Sequence, residues 1–389
     1  MSRTIHAFHL PGIAESDIAR WTVRDYGNGR VQLRVPVLEP ELLERVVARL
    51  RGAGPWLREQ PVARIVDAID AVAERLADPA DHARRTLEEA LPELTGYSPP
   101  MIRLILERTI PLWRRDALER LLVAEFGDPA RLDGFTPRPG GGSTRPFGPE
   151  LAFHVFAGNV PGVAVTSLVR ALLVKAPSLG KAAAGEPLFA AVFARTLAEV
   201  DPRLGECLAV TYWRGGDHAL EDVALRAADT VVVYGGEDAV NAIRSRTPHT
   251  TRLLEHGPRL SFAVVAREAL ARGIVDGTAE EAALAVATFD QQGCVSPHVI
   301  YVEEGGNTTP RAFAETLAGA MHRVEAELPR GTPQPAEAAA IQHVRGTAEF
   351  RMLGGRDVRV FASRGTQFTV IWEAVPSFNP SCLNRGVWG

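Results

Sequence analysis

Five short stretches carry residues whose types and spacing could do chemistry. Residues 289–298 read FDQQGCVSPH and place Cys294 in a Gly-containing turn, after a helical pattern and before a strand-like run. Nucleophiles are often presented on such loops, held by rigid elements on both sides. A cysteine in isolation is more often a small buried hydrophobe. Cys294, however, has polar and glycine neighbours, whereas Cys207 sits among strand-like apolar residues and Cys382 lies in SFNPSCLN with no base close in sequence. Cys294 is therefore the candidate nucleophile, and with a free-thiol pKa of ~8.5 it needs a site that favours the thiolate. FAGNVPG (156–162) sets Asn159 where a strand meets a helix. Its amide could donate to a developing oxyanion or make a local turn bond ahead of Pro161. LVKAPS (173–178) ends an apolar segment with Lys175, which either snorkels to water or reaches for an anion. LLEHGPRLS (253–261) brings Glu255 to a Gly turn, where a carboxylate is usually just solvated. VVVYGGE (231–237) joins a strand to a helix through Gly235 and Gly236 without the GxGxxG fingerprint. Glu237 and Asp238 would repel a pyrophosphate at that helix start. His256 and His298 lie beside these motifs, but a lone histidine is more often structural.

Elements must position these residues. The chain of 389 residues suggests two or three domains at ~100–200 residues each. Its first 135 residues read as mostly helical after one short strand, with Val31, Leu33, Val35 and Val37 alternating. Helical spacing marks 61–76, and 102–126 repeats it with Pro111 as the divider. Residues 136–149, TPRPGGGSTRPFGP, read as a flexible surface loop rather than a phosphate-cradling loop. Beyond it, strands at 151–156, 207–213 and 230–234 alternate with helices at 163–174, 188–200 and 219–228, the pattern of a mainly parallel sheet. Further strands are predicted at 261–266, 298–303, 358–362 and 368–372, with helices at 279–289, 310–328 and 336–350. Lys and Arg number 43 against 47 Asp and Glu, so no electrostatic case exists for a nucleic-acid partner. No apolar run approaches the ~20 residues of a membrane span, and the first residues lack a secretory apolar stretch. Three scattered cysteines make neither a disulfide framework nor a metal site and fit a reducing, cytoplasmic location.

Taken in order, GNVP, VKAPS, the strand–Gly–Gly junction, E-H-G and QGCVSP resemble the aldehyde dehydrogenase superfamily. More closely they resemble its acyl-CoA reductase branch, the LuxC-type fatty-acid reductases. The likeness is strongest over 146–301, and LPELTGYS (91–98) shares it. It implies an aldehyde-dehydrogenase-like α/β fold, with a Rossmann-type cofactor domain, a second α/β catalytic domain and a helical N-terminal region. The corresponding boundaries are 1–135 for the helical region contributing to the cofactor domain, 136–260 for the NADP-binding core and 261–376 for the thiol domain. Chains of that branch continue well past a segment like 380–385, which makes 377–389 either a truncated remnant or an altered ending. By position, the resemblance implies Cys294 as nucleophile, Asn159 as oxyanion-hole amide and Glu255 as the base of aldehyde-oxidising members. Lys175 would hold the adenosine ribose, and Gly235 and Gly236 would lie by a loosely bound pyrophosphate. Many NAD-preferring members carry Glu three residues after that Lys. Here the position is Ser178, with Lys181 beyond, which predicts NADPH. The implied activity is reduction of an acyl-CoA or acyl-carrier thioester, of a long-chain fatty type, to the aldehyde through an acyl-cysteine. The alternatives are aldehyde oxidation with the same nucleophile and a non-catalytic partner of an acyl-transferring enzyme. The resemblance also implies a homo-oligomer and an acyl-protein synthetase partner.

Overall fold

The amino-terminal residues form more strand than their pattern predicts. Val31, Leu33 and Val35 are buried while Gln32 and Arg34 stay half-buried, the period of a strand with one covered face. This strand, β3 (Val31–Pro36), runs parallel to β1 (Arg3–His6) and antiparallel to β2 (Trp21–Tyr26). β1 and β2 are rich in polar residues, so neither announces itself by apolar alternation. Five helices follow: α1 (Pro40–Glu59), α2 (Val62–Ala77), α3 (His82–Thr95), α4 (Pro99–Thr109) and α5 (Arg115–Phe126). α2 buries Val62, Ile65, Val66, Ile69, Val72, Ala73 and Leu76, a single apolar face. Pro111 sits in a tight turn, Ile110–Trp113, that parts α4 from α5, because its ring cannot continue the helical hydrogen-bond ladder. Among the described residues of 136–149 the regular structure is the two-residue strands β4 (Thr136–Pro137) and β5 (Ser143–Thr144).

The computed structural model describes residues 3–138, 140–374 and 387–388; Cys382 and the segment 377–386 lie outside the described residues. The chain divides into two units, Met1–Thr95 with Leu104–Gly257, and Gly96–Arg103 with Pro258–Gly389. The first is built on five parallel strands, β6 (Ala152–Val155), β7 (Ser178–Lys181), β8 (Leu208–Thr211), β9 (Thr230–Tyr234) and β10 (Arg252–His256), in the order β10-β9-β6-β7-β8. Every residue of β6, β7 and β8 is buried, as parallel strands covered on both faces require. The connections run through α6 (Val163–Leu173), α7 (Phe189–Val200), the one-turn α8 (Pro202–Gly205), α9 (His218–Ala227) and α10 (Glu237–Arg244). Leu43 and Leu50 of α1 share a core with Phe153, Leu179, Val231 and Val233 of the sheet. Strand order reverses between β6 and β9, and sheets of this kind take ligands outside the carboxyl ends of their strands at such a switch point.

The second unit holds the sheet β11 (Ser261–Val265), β12 (Pro297–Val302), β13 (Val358–Ala362), β14 (Thr369–Glu373) and β15 (Val387–Trp388), ordered β11-β12-β15-β14-β13. Only the β13–β14 pair is antiparallel among its described pairings. α11 (Val275–Ala287) and α12 (Pro310–Glu327) bury Ala279, Ala283, Phe313 and Leu317 with Ile300 and Val370. α13 (Pro335–Leu353) packs Val344 and Ala348 with Val358 and Ile371.

Candidate functional site

Because β6 to β10 are parallel, their carboxyl ends form one edge of the first unit's sheet, and several candidate residues stand along it. Asn159 is exposed in the loop that follows β6. Gly162 closes that loop with φ +95°, and a Cβ there would stand 2.6 Å from Thr109 Cγ2, so only glycine lets the chain enter α6. Gly235 and Gly236 follow β9, and Gly236 opens onto free space at the start of α10. Glu255 and His256 end β10, and the His256 ring stacks on Tyr234 at 4.4 Å. Glu255 is held by both branches of Arg244, Nε to Oε1 and Nη2 to Oε2 at 2.6 Å each. That hydrogen-bonded pairing holds its carboxyl below the usual carboxylate range. A general base works best with a pKa near the operating pH, so this environment does not tune Glu255 for that task.

Lys175 and Ser178 stand elsewhere, which corrects their assignment to the cofactor. Both precede or open β7, at the amino-terminal edge of the sheet, opposite the ligand edge. Lys175 has φ +61° just past α6 and is buried, its Nζ 2.6 Å from Asp133 Oδ1. Ser178 is fully buried, donating to the Ala176 carbonyl at 3.2 Å and hydrogen-bonded to His154 Nε2 at 3.2 Å. The lysine at the carboxyl edge is Lys181, the last residue of β7, with Nζ 5.7 Å from the Trp213 ring centre. Burial lowers its pKa, opposed by Glu221. Beside it, Thr211 Oγ1 and Trp213 Nε1 are buried without a hydrogen-bond partner among the described residues. The sequence did carry a signal for this: the helical patterns at 163–174 and 188–200 stand in succession where the strand–helix alternation around them calls for a strand.

Cys294 lies in the second unit. It is exposed, whereas Cys207 is buried and its thiol is pushed up to about 12 by that burial. The turn ahead of Cys294 has three successive non-glycine residues in the left-handed region, Phe289 (φ +60°), Asp290 (φ +46°) and Gln291 (φ +63°). Such backbone persists only where its surroundings over-determine it. Gln291 Nε2 donates to the Pro297 carbonyl at 2.9 Å, closing a staple across the cysteine turn. Ser261 Oγ donates to the Cys294 carbonyl at 2.6 Å, Ser296 Oγ to the Thr288 carbonyl at 3.2 Å, and the Gly331 N–H to Asp290 Oδ2 at 3.2 Å. His298 opens the strand side of the turn half-buried, with burial lowering its pKa and Nδ1 unpartnered among the described residues. The framing residues Asp290, Gln291 and Ser261 carried no functional signal in sequence. Among the described residues no His, Cys, Asp and Glu cluster could hold a metal ion, and no helix is long and apolar enough to cross a membrane.

An exposed thiol on an internally bonded turn can take up an acyl group, and a switch-point edge with an unclosed glycine junction can take a dinucleotide. Residues 57–388 match the family profile described as acyl-CoA reductase (LuxC). The long-chain acyl-protein thioester reductase of Photorhabdus luminescens is 28% identical over 281 residues, 71% of this chain and 56% of that one. Its namesake from Photobacterium phosphoreum is 26% identical over 345 residues, 87% of this chain and 68% of that one. The chain thus spans about half to two thirds of the length of the curated relatives it matches. In fold it is similar to aldehyde dehydrogenase 21 from Physcomitrella patens, TM-score 0.74 at 14% identity, covering 100% of this chain and 80% of that one. The NADP-dependent glyceraldehyde-3-phosphate dehydrogenase from Bacillus halodurans, complexed with NADP, gives 0.69 at 15% identity, covering 98% and 80%.

Proposed function

The chain belongs to the acyl-CoA reductase (LuxC) family, and from that premise we propose that it reduces a long-chain acyl thioester, carried by CoA or by a protein, to the aldehyde. The observation that carries the reading is the exposure of Cys294 on a turn fixed from both sides, while Cys207 is buried and protonated. Deprotonated Cys294 attacks the thioester carbonyl carbon, the tetrahedral oxyanion collapses, and the carrier thiol departs with the proton that Cys294 gave up. An acyl-Cys294 remains. When bound, a reduced nicotinamide dinucleotide supplies a hydride to the acyl carbon. The thiohemiacetal on Cys294 then breaks its C–S bond, releasing aldehyde and returning the thiolate. A thiolate serves both steps because it is a strong nucleophile and a workable leaving group. Asn159 keeps the oxyanion role that the family resemblance implies.

The first unit's residues fit a dinucleotide at the carboxyl edge: the strand order has its switch point there, Gly236 leaves the junction open, and Lys181 offers a cation beside the orphaned Thr211 and Trp213 donors. NADPH is the preferred form in this reading, on the residues that follow β7 rather than on Ser178. Three positions after Lys181 stands Ala184, so no carboxylate is there to repel a 2′-phosphate. Glu186 turns inward instead, accepting from the Leu188 and Phe189 N–H groups at 2.8 and 2.7 Å. Aldehyde oxidation needs a base to activate water for acyl-enzyme hydrolysis, and the Arg244-bound state of Glu255 speaks for the reductive direction. The test is incubation with NADPH and a series of acyl-CoA and acyl-protein thioesters. Aldehyde and free thiol should appear together, with NADH less efficient. Cys294→Ala should abolish covalent acylation, and Asn159→Ala should lower turnover ~10²–10³-fold. Retained acyl labelling in Cys294→Ala would overturn the proposal.

A further inference from the structure

The first unit contains a cleft of about 360 Å³ lined from β1, α2, α3 and α7, a volume in the range of small-molecule sites. α7 leaves the carboxyl edge after β7, so its second half, with Arg195 and Glu199, runs back toward the opposite edge. Arg195 donates to the His6 carbonyl, and among the described residues it makes no other hydrogen bond and no ion pair. Burial pulls its pKa below the ordinary guanidinium value, and the neighbouring Glu199 opposes that shift. Glu199 is itself taken by Arg75, Nη1 to Oε2 at 2.7 Å, and Arg75 also holds Asp81 at 3.0 Å. The two guanidinium groups thus have two carboxylates near them, but both carboxylates are bound by Arg75 and neither by Arg195. A guanidinium has five N–H donors, and Arg195 spends one of them on His6. A largely desolvated charge without a paired counter-ion is costly unless an anion meets it. Arg75, Thr86 and Arg195 line the cleft from three separate helices, α2, α3 and α7. That divergence suits the oxygens of a tetrahedral group better than those of a planar carboxylate.

We infer that this cleft binds a small phosphate-bearing ligand, with Arg195 as its principal contact. None of the residues lining the cleft is one assigned to the reductase chemistry, so its occupancy is tested independently of that reading. The test is calorimetric titration of the full chain with inorganic phosphate and pyrophosphate at constant ionic strength, with succinate as the carboxylate control. Saturable phosphate binding is expected, weakened about tenfold or more in Arg195→Gln and less in Arg195→Lys, as loss of a charge-assisted fork predicts. On the unmodified protein, phosphate should also slow phenylglyoxal modification of Arg195 in peptide maps, which keeps the test decisive should Arg195→Gln not fold. No saturable binding, equal binding to folded Arg195→Gln, no protection of Arg195, or succinate binding as tight as phosphate would each overturn the inference.

Discussion

Cys207 and Cys294 place the same atom in opposite surroundings. Cys207 is sealed in the first unit's interior, with Sγ 3.5 Å from the Arg203 carbonyl, and burial pushes its thiol up to about 12. Cys294 faces solvent from the second unit. Alkylation needs both access and thiolate, and Cys207 has neither. Iodoacetamide at neutral pH should therefore label Cys294 at least ~100-fold faster than Cys207, read by mass spectrometry of the two peptides. Comparable labelling would remove the basis for choosing one sulfur. The difference in exposure was legible in sequence, since glycine and polar neighbours separate Cys294 from the apolar setting of Cys207. The bidentate grip of Arg244 on Glu255 was not, because the two residues lie eleven positions apart on a helix and a strand whose packing no local pattern encodes.

The two elements that decide the candidate site are a four-residue strand and a strained turn. β7 reads SLGK, too short and too small in its side chains to show alternation, so the strand went unread and the ribose role fell to Lys175 of VKAPS rather than to Lys181. The longer elements were legible because period 3.6 or unbroken apolar runs persist over enough residues, as in α2 and β9. The turn depends on Gly293, where a Cβ would stand 2.9 Å from Phe289 Cδ2 and 3.1 Å from Ser296 Oγ. In Gly293→Ala the Phe289 ring must give way, which disturbs the turn next to Cys294. Displacements of about 1 Å can cost ~10²-fold in rate, so single-turnover acylation should slow about 10- to 100-fold while the fold persists. Unchanged acylation would mean the turn is not the positioning device. At the centre of the parallel sheet, His154 of β6 lies buried between Ser167 and Ser178, its pKa lowered by burial from 6.5 to about 3. Above pH 6.5 it is neutral in folded and unfolded chains alike. Below that, only the unfolded chain takes the proton, so stability should fall by up to about 1.4 kcal/mol per pH unit until the folded pKa is reached. His154→Gln should be less stable at neutral pH, yet lose less stability than the parent on acidification, as measured by denaturant titration at several pH values.

At the scale of the whole molecule, the inferred chemistry is divided between two separately folded cores. The sheet edge suited to a dinucleotide belongs to the unit ending at Gly257, and the thiol turn to the unit resuming at Pro258. The family resemblance implied a boundary at 260/261, and the compact units divide at 257/258 with residues 96–103 joining the second. Two functions on two cores should be separable by substitution. Lys181→Ala removes the cation at the carboxyl edge and should weaken NADPH binding about tenfold or more. The rate of Cys294 alkylation in the absence of cofactor should then change less than about twofold, since the thiol turn is braced within its own unit. Lys175→Ala should behave differently from both. It strands Asp133 without the ammonium at 2.6 Å and leaves a buried site unfilled, so it should lower thermal stability while leaving the NADPH dissociation constant of the folded protein near its original value. Fluorescence titration of NADPH into the two lysine variants, alongside their melting curves, distinguishes these outcomes. If Lys175→Ala abolished binding in a folded protein while Lys181→Ala bound normally, the cofactor would have to approach the sheet from its amino-terminal edge, against the rule that the strand order otherwise obeys.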